Sequence, residues 1–177
     1  MAVYKSFGIA PTTYTSTTNV STVSIPVEDH SDSFCTEIWG YFKPATDVVY
    51  PKISMMDSSN NPIQSFFRTS VAGTTSTYST SATSPVTESY MTRFTTGNDL
   101  GEFVSFQLKY FGNQSTQSVY ASPWLVCNTL HELNTNVIRG NRLVLYTSSA
   151  TVGYIRFKFQ GSDINEYYIH KAPLLGY

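Results

Sequence analysis

Apolar and polar residues alternate with a period of two along much of this chain, and that period commits it to strands rather than helices. In Gly101–Phe111, residues Val104, Phe106, Leu108 and Tyr110 alternate with Ser105, Gln107 and Lys109. In Gly153–Gln160, Ile155, Phe157 and Phe159 alternate with Tyr154, Arg156, Lys158 and Gln160. Ser33–Phe42 puts Phe34, Ile38 and Phe42 on one face and Cys35, Trp39 and Tyr41 on the other, and Leu143 and Leu145 line one side of Arg142–Tyr146. A strand with one apolar face belongs in an antiparallel sheet that lies on a core. Further strands are expected at Val20–Val27, Val48–Met55, Ile63–Thr69, Val86–Phe94, Val119–Leu130 and Ile164–His170.

Turn-forming residues separate these runs. Asp57-Ser58-Ser59-Asn60-Asn61-Pro62, Thr96-Gly97-Asn98-Asp99, Gly112-Asn113-Gln114-Ser115, Arg139-Gly140-Asn141 and Gly161-Ser162-Asp163 each read as a turn. Strands closely spaced between turns predict an all-β fold: a single antiparallel β-sandwich, jelly-roll or immunoglobulin-like. No βαβ alternation is present, and the one helical turn expected is Leu130–Asn136. Two stretches are low in complexity, Pro11–Ser24 and Ala72–Ser84, and read as Ser/Thr-rich loops that a neighbouring subunit would hold. The organisation expected is an N-terminal arm or edge strand over 1–24, a sandwich over 25–170 and a C-terminal arm over 171–177.

The polar residues are mostly uncharged. Against 23 Ser and 23 Thr stand only 23 charged side chains, among 26 aromatics in 177 residues. Such a composition is poor for catalysis and suited to packing against protein or glycan. A chain of this length buries enough surface to fold without disulfide or metal. With a net charge of -1 and basic residues scattered singly, no stripe exists to neutralise phosphates, so nucleic acid is not an expected partner. Near-zero net charge also suits an assembly subunit. No run approaches the ~20 apolar residues that cross a membrane as a helix, and no membrane partner is expected. The opening Met-Ala-Val-Tyr-Lys-Ser lacks the pattern of a secretory leader. A surface-like composition without an export signal is expected of a virion component. Cys35 and Cys127 lie in apolar alternating runs and read as two buried free thiols, with one long-range disulfide as the competing reading.

Catalytic patterns are not found. Glu28-Asp29-His30-Ser31-Asp32 offers oxygen and imidazole donors, but no Gly spacing of a calcium loop follows, and an acidic turn is the simpler reading. His131-Glu132 begins like a zinc-hydrolase helix, but position 135 is Thr and the second His is missing. His170 lies in a Tyr-rich strand and reads as a packing or interface residue. There is no nucleophile elbow, P-loop or dinucleotide fingerprint. The chain is expected to be no enzyme and to carry no cofactor or metal.

The aromatics are more informative. Trp39, Tyr41, Tyr50, Tyr78, Tyr90, Tyr110, Tyr120, Trp124, Tyr146, Tyr154, Tyr167, Tyr168 and Tyr177 exceed what one core of this size needs. Tyr and Trp give large contact area at low entropic cost and are enriched at interfaces. Tyr167 and Tyr168 are the first interface candidates, followed by the apolar tail residues Leu174, Leu175 and Tyr177, which would make an odd exposed patch on a monomer. Trp39 and Trp124 are the candidates for a glycan-stacking platform.

Taken over its whole length, the chain resembles small virion proteins of tailed phages: decoration (cement) proteins, head fibres and tail-tip modules. The resemblance lies in composition and architecture and in no motif, so it transfers no functional residue. It implies a structural virion subunit whose partners are copies of itself and other virion proteins, and whose tip could meet a host glycan. A carbohydrate-binding module and an extracellular filament subunit are the alternatives.

Overall fold

The computed structural model describes residues 10–27, 35–72, 77–81, 84–92, 96, 102–112, 123–133, 137–147 and 151–174. Twelve strands are formed among them: β1 (Thr12–Ser16), β2 (Val23–Pro26), β3 (Cys35–Pro44), β4 (Tyr50–Met56), β5 (Phe66–Ala72), β6 (Thr77–Ser81), β7 (Ser89–Tyr90), β8 (Phe103–Phe111), β9 (Trp124–Leu133), β10 (Val137–Tyr146), β11 (Tyr154–Gln160) and β12 (Ile164–Leu174). Eight form one sheet in the order β1-β12-β3-β8-β9-β10-β5-β6, and four form a second in the order β2-β11-β4-β7. Every neighbouring pair is antiparallel. The all-β sandwich expected from the alternation is the fold found.

The strand order selects between the two expected topologies. β1 pairs with β12, β2 with β11, β3 with β8 and β4 with β7. The chain is therefore a nested hairpin, and rolling it brings β12 beside β3 and β11 beside β4. That winding is a jelly roll. The hairpins β5–β6 and β9–β10 are inserted into it, and both extend the same sheet beyond β8.

Alternation places the core where it was expected. Val104, Phe106, Leu108 and Tyr110 of β8 are buried, as are Ile38 and Phe42 of β3 and Ile155, Phe157 and Phe159 of β11. Phe42 meets Phe106 of its own sheet at a ring-centroid distance of 5.6 Å, and Phe157 and Phe159 across the sandwich at 5.8 and 5.1 Å. Phe106 lies 4.8 Å from Phe157. Each such ring contributes roughly 1.5–3 kcal/mol of burial, which ties the two sheets together. Tyr110, counted among the surplus aromatics, is fully buried in this core.

Several expectations are corrected. Leu130–Leu133, read as the start of a helical turn, continues β9, where Val104 and Arg139 flank His131 on the neighbouring strands. A central strand satisfies both sides of its backbone in the ladder, and this outweighs the local preference. Arg139-Gly140-Asn141, read as a turn, lies inside β10; buried Asn141 donates its side-chain amide to the Met91 carbonyl. The two Ser/Thr-rich stretches hold the two edge strands of the large sheet, β1 and β6. Thr and Tyr fit a pleated surface well, so a polar run can still be a strand. The boundary placed between 24 and 25 falls within β2, and the one placed at 170/171 falls within β12, which pairs with β3 as far as Leu174 opposite Cys35.

The Asp57 turn is found as expected. The Asp57 carboxylate accepts the backbone N–H groups of Ser59 and Asn61 at 2.9 and 2.8 Å, and Asn60 takes a positive φ of 65°. Gly161, with φ at 80°, makes the tight link from β11 to β12.

Candidate functional site

The two sheets present very different outer faces. On the small sheet, Lys52 of β4, Lys158 of β11 and Glu88 form a closed charge cluster, each Lys–Glu pair at 2.5 Å. Lys52 also sits 4.8 Å over the Tyr90 ring, and the Tyr90 hydroxyl donates to Gln160 at 2.8 Å. The polar groups of this face largely satisfy one another.

The outer face of the large sheet also carries charges, Glu37, Lys109, Arg142 and Arg68 among them, but adds aromatic, apolar and amide groups. Pairing registers align its side chains in rows across the strands, because residues opposite one another in neighbouring strands share a face. One row runs Phe111, Trp124, Tyr146, Phe66 over β8, β9, β10 and β5. Phe111 and Trp124 stack at 4.0 Å with planes 6° apart, and Phe66 and Tyr146 stack at 5.4 Å and 19°. Val126 and Val144, opposite each other in β9 and β10, lie on the same face one row in. Leu130 and Tyr146 are 56% and 46% exposed, so this face carries apolar surface in water.

A second row runs Thr13, His170, Trp39, Gln107, Asn128, Arg142 over β1, β12, β3, β8, β9 and β10. Trp39 and His170 stack at 5.4 Å and 26°, and Thr13 Oγ1 lies 3.0 Å from His170 Nδ1. Tyr168 packs edge-on to His170 at 4.7 Å and stacks with Tyr41 at 6.4 Å. The Tyr41 hydroxyl donates to Glu166 at 2.6 Å; this hydrogen bond, first, and the neighbouring carboxylate charge raise the Tyr41 pKa. The Gln107 amide donates to Glu37 at 2.6 Å, which fixes that side chain and leaves its carbonyl as an acceptor.

The expected site residues thus separate. Trp39, Trp124 and Tyr168 share the outer face of the large sheet. Tyr167 alternates to the other side and packs against the core cluster, so the adjacent tyrosines do not form one patch. Leu174 ends β12, while Leu175 and Tyr177 lie outside the described residues, as does the Glu28–Asp32 segment with His30. His170 belongs to the aromatic row.

Asn128, Arg142, Phe66 and Val144 were not singled out from sequence. Their one signal was the polar or aromatic phase of an alternating strand, and strand pairing was needed to align them. Cys35 and Cys127 are free and buried, as their apolar runs predict. Burial pushes the Cys35 thiol up to about 11, against the opposing pull of Lys109, and raises Cys127 further. Comparison with protein-family models, with curated proteins and with solved structures finds no match for this chain.

Proposed function

We propose that the chain is a non-enzymatic structural subunit of a viral particle that docks through the outer face of its large sheet, on copies of itself or on other capsid or tail proteins. The observation that carries this reading is the aromatic row Phe111–Trp124–Tyr146–Phe66, with Val126 and Val144 beside it between Lys109 and Arg68, on a face that the small sheet does not cover. Apolar strips of this kind, anchored by rigid aromatics, are what protein interfaces desolvate. On the small sheet the charges of Lys52, Lys158 and Glu88 pair with one another, which suits a face left to solvent. The jelly-roll winding supports the reading in a weaker way, since capsid and lectin domains share it and fold alone does not fix function.

Light scattering over a range of concentrations tests the proposal. Concentration-dependent association that is lost on Trp124→Ser with Tyr146→Ser, in a protein that stays folded, supports docking through this strip. Association unchanged by the pair removes the strip from the interface. A chain that stays monomeric alone and binds none of its particle's other proteins overturns the reading.

A further inference from the structure

We infer that the second row on the same face is a binding site for an oligosaccharide carrying one acidic sugar at its end, independently of the docking strip. The row crosses four adjacent strands from Trp39 on β3 through Gln107 on β8 and Asn128 on β9 to Arg142 on β10. At a strand spacing of about 4.8 Å the distance from Trp39 to Arg142 is roughly 14 Å. The chemistry changes along it in the order a sugar chain needs. Trp39, backed by His170, offers an aromatic face for the apolar side of a pyranose. Gln107 and Asn128 are exposed amides one and two strands on, each able to pair with hydroxyls as both donor and acceptor. Glu37 fixes the Gln107 amide, so that group is oriented before any ligand arrives.

The arginine end of the row carries the uncompensated charge. Arg142 and Arg68 are exposed diagonal neighbours on β10 and β5, since Arg142 pairs with Ser70 and Val144 with Arg68. They stand roughly 7–8 Å apart at Cα, close enough to converge on one carboxylate. Among the described residues neither has an ion-pair partner. Glu37 and Glu166 flank the aromatic end, but each stands opposite a lysine on the neighbouring strand, Lys109 and Lys43, and each also accepts a hydrogen bond from within the face. An oligosaccharide that is neutral at the aromatic end and acidic at the arginine end puts its one charge where the uncompensated cations are. Arg presents a planar fork that matches a carboxylate, which Lys would not.

The test is saturation-transfer and titration NMR on the full chain, with two probes: a tetrasaccharide ending in N-acetylneuraminic acid, and the same chain without the acid sugar. The acidic probe is expected to bind at least about tenfold tighter. Arg142→Gln is expected to erase that difference while neutral binding persists, and Trp39→Ala to abolish saturation transfer to the neutral rings. Arg142 is exposed, so its variant keeps the fold even if the half-buried Trp39 does not; methyl dispersion in the proton spectrum checks both. Absence of binding to either probe, equal binding of the two, or acidic binding unchanged in Arg142→Gln overturns the inference. None of these outcomes bears on association through Trp124 and Tyr146.

Discussion

Gly40 of β3 lies directly against the backbone of Tyr168 in β12. A Cβ at position 40 would overlap the Tyr168 carbonyl oxygen, and the Gly40 φ is +151°. This close approach falls between the two cross-strand ring pairs, Trp39 with His170 and Tyr41 with Tyr168. A side chain at 40 would separate the strands at the point where the aromatic row begins.

Gly40→Ala is therefore expected to destabilise the fold by about 2–4 kcal/mol, read as a lower urea midpoint. A variant as stable as the parent would mean that β3 and β12 part there without strain.

The adjacent tyrosines should behave oppositely. Tyr167→Ala removes a ring packed on the core and is expected to cost about 2 kcal/mol or more. Tyr168→Ala, on the outer face and 42% exposed, should cost well under that, about 0.5 kcal/mol. Paired chemical denaturation curves decide; equal costs would mean that the alternation of β12 is misassigned at this point.

Glu88 ties two strands of the small sheet. Partial burial opposes its ionisation, but hydrogen bonds and charge from Lys158 and Lys52 outweigh this and hold its pKa below the usual carboxylate value. The stabilisation is present above the unfolded pKa of about 4.3 and is lost as pH falls through the folded value. Glu88→Gln should cost about 1 kcal/mol at pH 7 and converge on the parent near pH 3. A difference that persists in acid would assign the loss to packing rather than charge.

Neither thiol should react in the folded protein. The thiolate is the reactive form, and burial disfavours it at both Cys35 and Cys127. Iodoacetamide at pH 8 is expected to label each only after denaturation, and reductant should leave the unfolding midpoint unchanged. Fast labelling of Cys35 would show that its end of β3 opens readily.

The jelly roll was half legible in the sequence, and the reason is physical. Alternation in β8 and β11 reports which side chains face the core, because burial on one side leaves a period of two. It does not report which strands pair, and pairing is what aligns Trp39 with Gln107, Asn128 and Arg142. The Ser/Thr-rich edges were unreadable for another cause. β1 reads Thr-Thr-Tyr-Thr-Ser, with Tyr14 the one aromatic on its core-facing side, so it has too little apolar contrast for its period to show. At Arg139-Gly140-Asn141 the local chemistry favours a turn, but the β9 and β5 ladders on either side hold the segment extended.

The nested pairing also sets an order of events as the chain is made. Thr13 meets His170 across 157 residues, whereas the hairpin of β9 and β10 closes locally. Loop closure over such a distance is slow and comes after the local hairpins have formed. Trp39, His170 and Thr13 come from three strands that assemble only when β12 has left the ribosome. An interrupted chain thus contains the tryptophan but lacks the surface built round it.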